Sequence, residues 1–378
     1  MSVDGGDAGS GTSRTRSRAG FATAAIGVVA AGAAAGLALE RIAVRRALGR
    51  DDPAAGEPFG SLRGAPYPVV TDDGIALHVE IDEPDPWPAG ARQTVVLSHG
   101  YALNLDAWHF QRQALRARAR LVLWDQRSHG RSERSPLGHA TIEQTGRDLG
   151  RVIDETAPDG PLVLIGHSMG GMSILALAEQ RPELFADRVI GVGLVASSAA
   201  GLGDVSLGVR GLPGRVLRRL APGVVSALAR RGDLVDRTRL LGNDLSFALT
   251  RRYSFASDVP PSYVEWTAEM LAATPIDVVA EFFPDFDEHD RREALGAIRE
   301  LETLILVGRE DRVTPLSHSE QIAAAVPRAQ LVVLDNCGHM LLLEHHAEVS
   351  AQLDALVARA VRAARGGGPT PRQRRVPP

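Results

Sequence analysis

The chain has 378 residues, 42 basic and 46 acidic, with a net charge of −4, and every basic side chain is arginine. The absence of lysine excludes Schiff-base and lysine-base chemistry, and a single cysteine, Cys337, excludes an internal disulfide. Residues 1–18, 40–52 and 366–378 together carry +5 and leave −9 on the body, so nucleic acid is not an expected partner. The eleven histidines fall into no HExxH or Cys/His ligand spacing, so no metal and no cofactor is expected.

Residues 1–18 are rich in Gly, Ser, Asp and Arg and read as a disordered N-terminus. Ala19 to Leu39 then runs without a charge; as a helix it would extend ~31 Å, the thickness of a bilayer. Ten alanines and four glycines keep its hydrophobicity modest, and Gly32 and Gly36 form a GxxxG pair. Three readings stand. One is a single membrane-spanning anchor, with arginines on both sides leaving its orientation open. Another is a signal peptide cut near Ala33–Ala35, releasing a secreted protein. The third is an Ala-rich helix that packs on the domain or stays in solution. The first is the expectation carried forward, with membrane association through residues 19–39. Residues 40–66 read as a linker, Pro/Gly-rich from Asp51 to Pro66.

Val69–Val70 and Ile75 to Ile81, with Thr71 to Gly74 between, read as a β-hairpin. Pro84 to Pro88 reads as a surface loop. Thr94 to Ser98 is a buried strand that runs into His99–Gly100–Tyr101. A glycine just past a strand lets backbone N–H groups approach a reacting oxygen, although an ordinary turn would look the same. A helix from Trp108 to Arg120 follows, then a strand at Leu121 to Trp124. That strand leads to the loop Asp125 to Ser132, which Asp125 and Arg127 are expected to tie together and where His129 is expected at the surface. Ile142 to Ala157 reads as an amphipathic helix.

Pro161 to Arg181 organises the chain. Pro161 to Ile165 is a continuous apolar run that reads as a strand buried on both faces. Met172 to Gln180 is apolar at helical spacing and stops at Arg181–Pro182. Between them lies Gly166–His167–Ser168–Met169–Gly170, a G-x-S-x-G turn from strand into helix. Such a turn takes a strained backbone, lifts the serine oxygen clear of the sheet, and sets it at the positive end of a helix.

Val189 to Ala196 is the next core strand, and Leu301 to Val307 follows about a hundred residues later. Strand spacing elsewhere is far shorter, so the interval reads as an insertion, about 201–297. It holds Arg215, Arg218, Arg219, Arg230 and Arg231, read as a solvated face. It also holds Phe247, Tyr253, Phe255, Tyr263, Trp266, Phe282, Phe283 and Phe286, almost half of the seventeen aromatics. These aromatics suit either the roof of an apolar pocket or the insertion's own small core. The pocket expectation takes in His99, Trp108, Trp266, Phe282 and Phe283. Gly308 to Asp311 follows the strand, with Pro315 closing the loop. Leu331 to Leu334 is the last strand, followed by Asp335 to Met340 and a closing amphipathic helix from Leu341 to Ala364. Cys337 has no elbow or helix terminus to lower its pKa and reads as a buried turn residue. Residues 365–378 read as a disordered Gly/Pro/Arg tail.

Buried strands alternating with helices give an α/β fold with a mostly parallel central sheet and helices on both faces. Ser168, Asp311 and His339 each follow a strand at its carboxyl end, the edge where an open α/β sheet binds ligands. On His99–Gly100–Tyr101, the Asp125–Ser132 loop, GHSMGG at 166–171, Gly308–x–x–Asp311 and Gly338–His339, the chain from about Val69 to Ala364 resembles the α/β-hydrolase fold family. The boundaries set for that domain are 67–364. The resemblance implies Ser168 as nucleophile, His339 as general base and acid, and Asp311 as its orienter, with Glu310 the alternative acid. It implies an oxyanion hole from the backbone N–H groups of Tyr101 and Met169, and a helical cap in the insertion. Two departures from the family pattern are Ser128, where glycine is frequent, and His346, where proline is frequent. The implied function is serine hydrolysis of a carboxylic ester or lipid acyl ester through an acyl-enzyme. A cofactor-free perhydrolase, a C–C bond hydrolase or a non-catalytic binding protein on the same fold are the alternatives. The expected partner is a small ester or lipid substrate, and the sequence leaves the oligomeric state open.

Overall fold

The computed structural model of the chain describes residues 52–87, 93–136, 138–204 and 247–366. Its core is an eight-stranded sheet in the order β1-β4-β6-β5-β7-β8-β9-β10. The strands are β1 (Ala65–Pro66), β4 (Val79–Asp82), β5 (Thr94–Ser98), β6 (Arg120–Trp124), β7 (Leu162–His167), β8 (Val189–Val195), β9 (Glu302–Gly308) and β10 (Gln330–Leu334). From β6 to β10 every neighbouring pair is parallel, while β4 runs antiparallel to β6 and β1 antiparallel to β4. The expected hairpin divides. β2 (Val69–Val70) pairs with β3 (Ala76–Leu77) as a separate two-stranded ribbon, and β4 leaves it to join the main sheet.

The parallel strands other than the edge strand β10 are buried on both faces, and alternate side chains feed two cores. Val96, Val122, Leu164, Val192 and Ile305 point to one side. There they meet α2 (Ile142–Thr156), α3 (Met169–Gln180), α4 (Pro182–Asp187) and α7 (Leu316–Ala325) through Val152, Leu175, Leu184 and Ile322. Val95, Leu97, Leu123, Ile165 and Leu306 point to the other, against Leu115 of α1 (His109–Leu115) and Leu353 and Leu356 of α9 (His346–Ala364). Burying each such side chain contributes about 1.5–3 kcal/mol, which is why these runs form strands and not surface loops. The closing helix is not continuous. It breaks at His345 into α8 (Leu341–Glu344) and α9.

Residues 247–254 are helical, and α5 (Pro261–Ala273) and α6 (Ile276–Glu288) follow before β9. The arginines from Arg215 to Arg231 lie outside the described residues. Residues 52–66 are not the free linker expected from their Pro/Gly content. Asp52 caps α5, accepting from Ser262 N–H at 2.8 Å and Ser262 Oγ at 3.2 Å. Phe59 stacks on Trp266 with ring centroids 5.6 Å apart. Proline and glycine here shape a strap, of which Ala54 and Phe59 are half-buried against residues remote in sequence.

The expected single N-terminal membrane span and the membrane-associated localisation are corrected. Among the described residues no helix is long and apolar enough to cross a membrane, and Ala19–Leu39, with its alternative reading as a signal peptide, lies outside them. The physical weakness of that reading is composition, because Ala and Gly contribute little to insertion. The disordered N-terminus expected at 1–18 lies outside the described residues, and so does the tail expected at 365–378 except for Arg365 and Gly366, which form the turn that ends the last helix.

A buried ionic cluster joins the sheet's antiparallel edge to α1. Arg112 lies 2.8 Å from both Asp82 and Glu80. Burial alone would raise the Glu80 carboxyl, but hydrogen bonds from His78, the Gly64 N–H and Arg112 outweigh it and hold the pKa at about 2. That is below the unfolded value of 4.5, so the stabilisation is complete above that pH and disappears as pH falls towards 2. The melting temperature should therefore drop across this range by less in Glu80→Gln than in the parent. An equal drop in the two proteins would remove Glu80 from the account.

Candidate active site

Ser168 is the one residue between the last residue of β7 and the first of α3. Its φ of 51° and ψ of −117° lie where a non-glycine residue is strained. Neighbouring elements hold it there. Ser168 N–H donates to Val195 O at 2.8 Å, and Ser197 Oγ donates to Ser168 O at 2.8 Å. A Cβ on Gly170 would stand 2.1 Å from Ser98 O, so only glycine lets α3 sit this close to β5. The helix begins at Met169, three residues earlier than its apolar periodicity indicates, so its unpaired N–H groups and partial positive charge lie directly behind the serine.

The structure brings Asp311 and His339 to that serine. His339 Nε2 is 3.0 Å from Ser168 Oγ, and His339 Nδ1 is 2.8 Å from Asp311 Oδ2. Asp311 Oδ1 accepts the N–H groups of Val313 and Thr314 at 2.8 and 2.9 Å, and Oδ2 accepts Thr314 Oγ–H at 2.9 Å. The carboxylate has only acceptors, so the imidazole must present Nδ1–H to it. That leaves the Nε2 lone pair facing the serine hydroxyl. All three residues are less than a tenth exposed. Glu310 is turned away: its Oε2 accepts Cys337 N–H at 2.9 Å. Burial, with Glu344 and Asp311 nearby, pushes the Cys337 thiol far above its usual range, so it holds its proton.

The other expected site residues divide into two groups. Tyr101, Met169, Phe282 and Phe283 come together. The Tyr101 ring lies edge-on to Phe282 and Phe283 at 5.9 and 6.3 Å, its hydroxyl donates to Val279 O of α6, and Met169 packs in the same cluster as Phe282. Trp108, His99 and Trp266 do not line this space. Trp108 is fully buried in the core beneath the sheet edge. His99 is also fully buried, donating from Nδ1 to Gly100 O at 2.7 Å and accepting Gln126 N–H at Nε2 at 2.9 Å. Burial and the neighbouring His129 push its pKa down to about 3, so it is a neutral brace for the turn. Trp266 belongs to the separate cluster around Phe59 and Tyr263.

His129 was expected at the surface and is instead 1% exposed, packed against His99, Tyr101 and Phe282. Burial pushes its pKa down to about 4. In the same loop Asp125 accepts the N–H groups of Leu105 and Arg131, while Arg127 bridges Asp148 and Asp73. Two participants escaped the sequence reading. Thr314 stands three residues after Asp311, a local carboxylate-turn spacing that marks it. His167 fills the variable position of the turn motif, and its Nε2 lies 3.1 Å from His339 O. Burial, then the adjacent His339, pushes its pKa down to about 3, so it stays a neutral donor.

Residues 93–346 match the family described as alpha/beta hydrolase fold. The chain belongs to that family. It is 40% identical over 268 residues to a putative carbamate hydrolase RutD of Caulobacter sp. (strain K31), a match covering 67% of this chain and 85% of the relative. It is 27% identical over 263 residues to the dihydrolipoyllysine-residue acetyltransferase component of the acetoin cleaving system of Pseudomonas putida, covering 70% of this chain. There it spans 63% of the relative's length. A thermophilic esterase from Thermogutta terrifontis superposes with a TM-score of 0.61 at 24% identity, covering 78% of this chain and 98% of the esterase, and shares the fold.

Proposed function

We propose that this protein is a serine hydrolase that cleaves a small carboxylic ester through an acyl-enzyme intermediate. The observation that carries the reading is the relay Ser168 Oγ–His339 Nε2 at 3.0 Å and His339 Nδ1–Asp311 Oδ2 at 2.8 Å. In the proposed reaction His339 takes the Ser168 proton as the oxygen attacks the carbonyl carbon. The Tyr101 and Met169 N–H groups receive the oxyanion, each worth about 3 kcal/mol at the transition state. The imidazolium returns its proton to the departing alcohol. Water then repeats the sequence and frees the acid. Asp311 does not take a proton; it holds the imidazole in the tautomer that can accept one.

The apolar groups around Tyr101, Met169 and Phe282 favour an uncharged acyl portion. The relation to a putative carbamate hydrolase favours a second reading, attack by the same serine on a carbamate carbonyl. One experiment tests both: p-nitrophenyl esters of increasing chain length beside p-nitrophenyl carbamates, with a fluorophosphonate probe to label Ser168. Turnover of short esters with labelling at Ser168 supports the first reading. Preference for carbamates with the same labelling supports the second. No labelling at Ser168 rejects both.

A further inference from the structure

The segment Asp335 to Met340 has to hold an imidazole against a serine on another strand, and it contains no helix or strand of its own. Its backbone is gripped from several sides. Glu310 Oε2 accepts Cys337 N–H, and Glu310 N–H donates to Cys337 O at 3.0 Å. His167 donates to His339 O, and Met340 N–H donates to Ser254 O at 2.8 Å. The remaining grip is Glu344, on α8. Its Oε2 accepts Gly338 N–H at 2.6 Å.

Glu344 holds a second segment with its other oxygen. Oε1 accepts Ala256 N–H at 2.8 Å, Ser257 Oγ–H at 2.6 Å and Ser257 N–H. Four donors thus meet one carboxylate, which has about four lone-pair sites to offer. Three come from the insertion between β8 and β9, and one from the residue before His339. The two segments are in close contact as well. A Cβ on Gly338 would stand 2.8 Å from Ser254 O and 3.0 Å from Ala256 N, so glycine alone lets the insertion lie on the loop.

We infer that Glu344 is a positioning residue that makes the placement of His339 on Ser168 depend on the docking of residues 254–257, an inference that rests on the serine-hydrolase reading. The role requires a carboxylate. A glutamine amide that keeps its oxygen on the three insertion donors turns its NH2 towards Gly338 N–H, donor against donor, and the loop beside His339 loses its hold. An aspartate keeps both acceptors and is short by one methylene.

The test compares kcat, KM, fluorophosphonate labelling rate and thermal unfolding in purified Glu344→Gln, Glu344→Asp and Ser257→Ala. Displacing the imidazole by a fraction of an ångström to an ångström should lower kcat of Glu344→Gln by about 10–100-fold, with KM changed less than about 3-fold. Labelling should slow in parallel, and Glu344→Asp should recover part of kcat. Ser257→Ala removes one insertion donor and leaves Gly338 untouched, and kcat should still fall by about 2–5-fold. A folded Glu344→Gln with parental kcat and labelling overturns the inference, as does a loss that only follows the folded fraction. Parental kcat in Ser257→Ala overturns the dependence on the insertion, and that variant decides the matter if Glu344→Gln does not fold. Ser168→Ala is run beside them. If it retains turnover, the hydrolase reading fails; if it is inactive while Glu344→Gln is fully active, only this inference fails.

Discussion

Ser168→Ala should abolish turnover of every accepted ester, a loss of at least ~10⁴-fold in kcat, while the protein stays folded. The oxygen removed is the one that His339 Nε2 approaches at 3.0 Å. Neither Cys337 nor Ser197 offers a substitute. Cys337 keeps its proton under burial, and the Ser197 hydroxyl is spent on Ser168 O. Alanine keeps the Cβ and meets the same backbone strain as serine at φ 51°, so β7 and α3 should remain joined as they are. The measurement is initial rate on the best p-nitrophenyl ester, with circular dichroism as the check on folding. Residual turnover above about a hundredth of the parental rate in a folded variant would move the nucleophile elsewhere.

The second large effect is expected at the acid. Asp311→Asn should lower kcat by roughly 10⁴-fold, because it reverses the tautomer of His339. The reversal follows from the partners of Asp311. Oδ1 accepts two backbone N–H groups, from Val313 and Thr314. An asparagine must keep its oxygen there, since an NH2 group would face two donors. Its NH2 then points at His339 Nδ1, which has to accept, so the proton moves to Nε2. An imidazole protonated at Nε2 cannot take the Ser168 proton. Glu310→Gln should cost less than about 10-fold, because a glutamine oxygen still accepts Cys337 N–H. Kinetics of the two variants side by side decide between the carboxylates, and a larger loss at Glu310 would reverse the assignment.

Several parts of the architecture were legible because they depend on local pattern. The apolar runs at Thr94 to Ser98 and Val189 to Ala196 read as buried strands, and the sheet has strands at Thr94–Ser98 and Val189–Val195. The serine turn was legible for the same reason, since Gly170 answers a contact that any strand–turn–helix of that kind must make. Pattern also misled. The Pro/Gly content of residues 52–66 suggested a linker, yet Asp52 and Phe59 tie the stretch to α5. The apolar face of Leu341 to Ala364 suggested one helix, and it is two.

What the residues determined alone is therefore the α/β class and the carboxyl-edge position of Ser168, Asp311 and His339. Only the tertiary structure decided the rest. It turned Asp311 rather than Glu310 towards the imidazole, buried His129, sealed Trp108 in the core, placed Trp266 in the cluster around Tyr263, and set Glu344 between the insertion and the residue before His339. Adjacent carboxylates differ by which side of a loop they leave from, and a buried histidine differs from an exposed one by what packs over it. Both are fixed by contacts between residues far apart in the chain, such as Glu344 with Ser257, which no local spacing encodes.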